Sequence, residues 1–241
     1  MSAEILVVRC GIVPYEAARA AQSRLQDARQ RGEVADVLLL LEHTPVYTRG
    51  RRSTPEELPM GSEWYEMQGI EVRETDRGGR VTYHGPGQLV AYPIVSLRPY
   101  GDDVLAYVRG LERVMIGALA AHGVEAEVVD GLTGVWVPAQ GPERRRKIGS
   151  IGVHVSRGVT THGLAVNVDN DLQPFEWIVP CGIEGVAMTS LARELGGEQD
   201  LGAFADTVAG RFGEVFERTA VAAAPGELGL DLPPATLGVP R

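Results

Sequence analysis

The sequence predicts an α+β (mixed α/β) fold, a central mixed β-sheet flanked by helices. Three observations predict it. Short apolar runs of strand character are interleaved with stretches of helical period. Some strand runs follow one another across tight turn signals with no helix between them. The chain of 241 residues, 44% hydrophobic, is also long enough to bury a sizeable core. No compositional linker interrupts the middle, so residues 1–219 read as one domain and 220–241, which lacks a periodic face, as a poorly ordered C-terminal tail.

Taken in order, residues 4–10 ("EILVVRC") read as a strand. A helix follows from Pro14 to about Arg31, since proline suits a first turn and Ala17, Ala18, Ala21 and Leu25 share one face. "DVLLLLEH" (36–43) is a continuous apolar run, the mark of a strand buried on both faces. Residues 49–66 read as a surface excursion, "IEVRETD" (70–76) as an alternating strand and "QLVAYPIVSL" (88–97) as another strand. The best helix lies in 101–123, with Asp102 or Asp103 to cap it and Gly123 to end it. "GVEAEVV" and "TGVWVP" are short strands, and 138–146 is a turn-rich loop. "KIGSIGVHVS" and "HGLAVNVD" form a strand pair turning near Arg157–Gly158, and two helices follow near 188–195 and 200–218.

The formal net charge of −9 argues against general binding to nucleic acid or anionic membranes. No run of eighteen apolar residues offers a membrane span, and "MSAEILVVRCG" lacks the basic, apolar and small-residue parts of a secretory signal, so a cytoplasmic location is expected. Two cysteines make no disulfide framework, and no His or Cys pair has metal-ligand spacing, so no metal site is expected. Cys10 closes an apolar strand and reads as a small buried hydrophobe. Cys181, in "IVPCGIEG", stands between a proline and a glycine, which suits a sharp, loop-like presentation of its thiol.

Lys147 is the only lysine; every other basic side chain is arginine. Arginine stays protonated, whereas a lysine amine can give up its proton, so this position is a candidate for proton transfer. The segment "DRGGRVTYHGPGQLVAYPI" (76–94) is unusually rich in glycine. Glycines at that density allow close backbone approach to a ligand or simply make hairpin turns. It matches neither phosphate-loop pattern. His84 in this segment is open to reading as a base, a donor or a structural hydrogen-bonder. His162 also precedes a glycine and lies near the Lys147 strand, while His43, His122 and His154 carry no special signal.

Together, "RGGRVTYHGPGQLVAYPI", "KIGSIGVHVSRGVTTHGLAVNV" and "IVPCGI", in that order, resemble the lipoyl(octanoyl) transferase family; "LEHTPVYTRGRRS" resembles its early segment. The match runs from about 36 to 195. The resemblance implies the fold of the lipoate and biotin protein ligase catalytic domain, and a single acyltransferase domain over 1–219. It implies octanoyl transfer from the phosphopantetheine of acyl carrier protein to a lysine of a lipoyl domain, the first step of protein lipoylation, with no cofactor of the enzyme's own. Its implied partners are octanoyl-acyl carrier protein, the lipoyl domains of 2-oxoacid dehydrogenase complexes and the glycine cleavage H protein. Neither nucleic acid nor membrane is involved, and nothing demands more than a monomer. Carried over by motif, Cys181 is the acyl-thioester cysteine and Lys147 its partner. The acyl-binding segments are Arg77, Gly78, Gly79, Arg80, Val81, Thr82, Tyr83 and His84; Ser150, Ile151 and Gly152; and Gly163, Leu164 and Ala165. Ile151 stands where the family often has leucine.

This chemistry needs a thiolate first and a proton acceptor second. A thiol with pKa near about 8.5 is only slightly ionised at neutral pH, so a neighbouring ammonium helps. The acceptor amine must then lose a proton, which a neutral lysine can take and an arginine cannot. Backbone amides near Gly79–Arg80 and Gly182, or His84, are candidate oxyanion donors. "RGRR" (49–52) and "RRR" (144–146) are candidate docking patches for acidic carrier domains. A lipoate or biotin ligase, a non-catalytic acyl-binding scaffold and a papain-like hydrolase are the competing readings.

Overall fold

The computed structural model describes residues 3–139, 144–178 and 186–233. The chain opens with β1 (Ala3–Val13), α1 (Tyr15–Arg31) and β2 (Asp36–His43). Pro14 precedes the first turn of α1, and Gly32, at φ 74°, ends it by donating to the carbonyls of Ala28 and Arg29. β2 is buried along nearly its whole length, as its apolar run predicts. Leu38 and Leu40 enter one core, while Val37, Leu39 and Leu41 enter another.

Those two cores lie on opposite faces of a nine-stranded sheet. Besides β1 and β2 it contains β6 (Gln88–Ile94), β7 (Glu127–Val129), β8 (Leu132–Val137), β9 (Arg146–Ser156), β10 (Val159–Asn167), β11 (Ala187–Met188) and β12 (Arg218–Ala223). The order is β12-β1-β2-β6-β10-β9-β8-β7, with β11 beside β9. β12, β1 and β2 run parallel, and pairing from β2 through β7 is antiparallel. α1 covers one face. α3 (Val104–Ala121) and α5 (Leu201–Val215) cover the other. Of the two aspartates offered as a cap for α3, Asp103 serves, accepting the Ala106 N–H at 2.9 Å. Tyr107, Leu111, Val114, Met115 and Ala118 form the buried stripe, in which burial of Leu111, Val114 and Met115 stabilises by about 1.5–3 kcal/mol each.

A smaller sheet, β4-β3-β5, joins β3 (Val46–Arg49), β4 (Glu71–Glu74) and β5 (Thr82–His84). It packs over an aromatic cluster of Tyr47, Tyr65, Tyr83 and Phe175. The stretch read as a surface excursion thus carries α2 (Ser62–Met67), whose Tyr65 is fully buried against Tyr47. A second expectation also needs correction. Composition predicted a poorly ordered tail from 220, yet β12 pairs in parallel with β1 up to Ala223, and Leu230 is buried. An edge strand of small residues, largely exposed, has no periodic signature, and its partner lies more than two hundred residues away.

Candidate active site

A cavity of about 640 Å³ runs along β9 and β10. Lys147, near the start of β9, lines it close to Thr133 and Trp136. At the far end Val153 pairs with His162, beside Tyr15 and Tyr92. Val153 is six positions beyond Lys147, or roughly 20 Å along a strand. Val104, Leu105 and Val108 of α3 add apolar wall, and Leu105 is 67% exposed at the rim.

Lys147 is only 3% exposed. Its Nζ donates to the Thr133 carbonyl at 3.1 Å and lies 5.4 Å from the centre of the Trp136 ring. Its backbone carbonyl accepts the Thr189 N–H at 2.9 Å, next to the short β11 pairing. The preceding residue, Arg146, points elsewhere and forks onto Glu194 at 2.9 and 3.0 Å. That bidentate pair anchors α4 (Leu191–Leu195) to the strand that carries the lysine.

The glycine-rich segment is built around a buried arginine. Arg77 donates from Nε and Nη2 to the Thr48 hydroxyl and from Nη2 to the Thr48 carbonyl at 2.6 Å. Gly152 must be glycine because a Cβ there would stand 2.9 Å from Arg77 Cδ and 3.0 Å from the Gly78 carbonyl. Arg80 is held by the buried Glu57 at 2.6 Å, and the same carboxylate accepts the Val81 N–H. Strand alternation then divides the next four residues. Thr82 and His84 line the cavity, whereas Val81 and Tyr83 point into the aromatic cluster.

The far end concentrates histidines. His43, which carried no signal in the sequence, is fully buried. Its Nδ1 meets the Val13 carbonyl at 2.8 Å and must donate there, so Nε2 accepts from the Tyr92 hydroxyl at 2.7 Å. The His84 tautomer is fixed similarly. Asn167 Nδ2 donates to the Thr189 carbonyl, and Gln88 Nε2 donates to Asn167 Oδ1 and the Tyr83 carbonyl. Gln88 Oε1 is therefore an acceptor, and His84 Nδ1 donates to it at 2.6 Å. Burial holds His84 well below its ordinary pKa, which keeps it neutral with Nε2 as a lone pair. It is thus a hydrogen-bond acceptor, not the oxyanion donor considered from sequence. His162 meets Asp76 at 2.8 Å. That hydrogen bond lowers Asp76 to about 2, yet burial outweighs the carboxylate and His162 itself is still lowered.

These histidines set an acid limit on stability. Burial depresses His43 to about 4, whereas an unfolded imidazole titrates near about 6.5. Between those values the unfolded chain binds the extra proton, so stability present at neutral pH is lost as pH falls from about 7 towards 4. His43 alone contributes on the order of 3 kcal/mol. Asp76 acts only at lower pH, because its contribution persists until pH falls below the ordinary carboxylate range. Thermal unfolding should show a marked drop from pH 7.5 to 5, reduced in His43→Asn, which keeps a donor for the Val13 carbonyl. A pH-independent midpoint would contradict the assignment.

Of the residues singled out from sequence, the cavity brings together Lys147, Arg77, Gly78, Gly79, Arg80, Thr82, His84, Ser150, Ile151, Gly152, Gly163, Leu164 and Ala165. Val81 and Tyr83 lie behind its wall. Cys181 and the neighbouring Gly182 lie outside the described residues. Cys10 is on β1, and burial pushes its thiol up to about 12, which makes it a poor nucleophile. Sequence reasoning missed Tyr15, Tyr92, Thr133 and Trp136, which reach the cavity from three separate elements, α1, β6 and β8. Among the described residues no group of three or more His, Cys, Asp or Glu side chains could hold a metal ion. No described helix is long and apolar enough to cross a membrane.

A mixed sheet of this order, with a cavity along its antiparallel strands under a glycine-rich segment, defines a known class of fold. It superposes on the bipartite lipoate protein ligase of Thermoplasma acidophilum with a TM-score of 0.71, covering 92% of this chain and 87% of that one at 15% identity. The lipoyl protein ligase A/B catalytic domain model matches residues 14–213. An octanoyltransferase of Chloroflexus aggregans is 47% identical over 88% of this chain and 95% of its own length. One from Chloroflexus aurantiacus is 49% identical over 86% and 91%. The chain belongs to the lipoyl protein ligase A/B catalytic domain family.

Proposed function

We propose that this chain is an octanoyltransferase, moving an octanoyl group from an acyl carrier protein to a lysine amine of a lipoyl domain. The geometric observation that carries the reading is the lone lysine, buried against a long, partly apolar cavity. The near full-length similarity to octanoyltransferases supports it. Cys181, in the "PCGI" segment, is the proposed nucleophile. Its thiolate attacks the carrier thioester, a new carbon–sulfur bond forms, and the bond to the phosphopantetheine sulfur breaks. The Lys147 ammonium gives its proton to the departing thiolate. The now neutral Lys147 takes a proton from the acceptor amine as that amine attacks, the amide forms, and the Cys181 thiolate leaves.

No cofactor of the enzyme's own takes part in this scheme, and the proposed setting is the cytoplasm. The acceptors would be the lipoyl domains of 2-oxoacid dehydrogenase complexes and the H protein of glycine cleavage. Exposed Arg51, Arg52 and Arg144 are the docking cations to test, since Arg49, Arg145 and Arg146 already pair with Glu74, Glu127 and Glu194. Joint replacement of Arg51 and Arg52 should raise KM for the carrier thioester and flatten its salt dependence; an unchanged KM would remove that patch.

The reading is tested by incubating the enzyme with octanoyl-carrier protein and weighing it intact. One added octanoyl group is expected on the wild type and none on Cys181→Ser. Activity with free octanoate, ATP and Mg²⁺, without activity from the thioester, would make the chain a ligase instead.

A further inference from the structure

We propose that Glu112 is a positioning residue for Lys147, acting through the peptide that joins Thr133 to Gly134. The inference rests on the catalytic reading of Lys147 given above.

Glu112 is 1% exposed on α3, and a carboxylate that deep needs compensating partners. It has two. Oε2 accepts from Arg109 Nη1 at 2.7 Å, and Oε1 accepts the Gly134 N–H at 3.2 Å. The other end of that same peptide, the Thr133 carbonyl, accepts from Lys147 Nζ at 3.1 Å. A trans peptide presents its C=O and N–H in opposite directions, so the ammonium and the carboxylate stand on opposite sides of one amide. The amide dipole, about 3.5 D, points its negative end at the amine and its positive end at the carboxylate. Each hydrogen bond strengthens the other.

The local backbone is shaped for this. The β8–β9 ladder slips register between Val135 and Trp136, next to this peptide, whose N–H and C=O both serve side chains. Gly134 sits at φ 113°, where a Cβ would stand 2.5 Å from the Gly149 carbonyl and 3.0 Å from Lys147 Cε. Only glycine permits both the turned peptide and the lysine stem passing over it. Glu112 therefore helps fix which way the carbonyl faces, and the carbonyl is one of the anchors that place Nζ.

The test compares Glu112→Leu, Glu112→Gln and Lys147→Met in both half-reactions. Leucine removes the carboxylate alone and leaves the Gly134 N–H without its acceptor, so some stability is lost; Arg109, 47% exposed, can turn to water, and a cooperative thermal transition checks that the variant folds. Its kcat for transfer is expected to fall about tenfold or more with both KM values within about twofold. Glutamine keeps an oxygen for the Gly134 N–H and should recover kcat to within about threefold. On the residual rate of Lys147→Met, adding Glu112→Leu should cost nothing further, because both changes act on one amine. A wild-type kcat in Glu112→Leu beside an inactive Lys147→Met would overturn the positioning role alone. An equal loss with and without Lys147 would do the same. Full activity of Lys147→Met would instead overturn the catalytic reading of the lysine and this proposal with it.

Discussion

Lys147→Arg is expected to leave acylation of the enzyme slow but measurable while transfer to the lipoyl domain is lost. The charge that favours a thiolate survives in arginine, and the ability to accept a proton from the incoming amine does not. Loss of positioned acid–base catalysis costs about 10²- to 10⁴-fold, which sets the size of the defect in the second step. The surroundings sharpen the comparison. Nζ is buried between the Thr133 carbonyl and the Trp136 ring, and the lysine stem lies close against Gly134. Guanidinium is bulkier there, so the first step should slow as well, though less. Lys147→Met, near the same size and without charge, should impair both steps. Rapid-quench measurement of acyl-enzyme formation and of its discharge to a lipoyl domain separates the two. Equal retardation of both steps in the arginine variant would count against the lysine's second role.

The division of labour between sequence and structure follows from range. Strand β2 and helix α3 were legible because burial on two faces or along one stripe leaves a local pattern, and Asp103 and Gly123 mark the ends of α3 in the chain itself. Lys147 was legible for a different reason, its uniqueness among arginines. The glycine segment was recognised as unusual, but the cause was hidden. Gly152 is small because Arg77 passes beside it, and those residues are 75 positions apart. His43 is silent in sequence because its partners, Val13 and Tyr92, come from β1 and β6. The alternation of Thr82 and His84 against Val81 and Tyr83 could have been read from the strand period, which would have put half of that segment behind the wall. β12 could not: alanines at an edge give neither period nor burial, and its order comes from the distant partners β1 and Asp36.

Asp36→Ala is expected to destabilise the fold more than any change at the cavity, because it removes the centre of the contact that holds β12 in place. Asp36 is 3% exposed. One oxygen accepts from Arg29 Nε at 2.7 Å and the Ser96 N–H at 3.1 Å, and the other accepts from Arg218 Nε at 3.1 Å. The carboxylate thus joins α1, the segment just after β6 and the first residue of β12 at one point. Its loss leaves the nearly buried Arg218 guanidinium and the Ser96 amide without their acceptor, and breaking such a network from one side costs about 3–5 kcal/mol. For a chain of this size that corresponds to a midpoint lower by roughly 10 °C. Asp36→Asn keeps an acceptor for Ser96 and gives up the charge, so it should fall between. Because Arg218 begins β12, the same variant should expose the segment after α5 to limited proteolysis at temperatures where the central strands still resist it. Global unfolding with no early cleavage there would show that β12 and the sheet melt as one unit. A midpoint within a degree of wild type would mean that the two arginines find other partners and that β12 is held by its pairing with β1 alone.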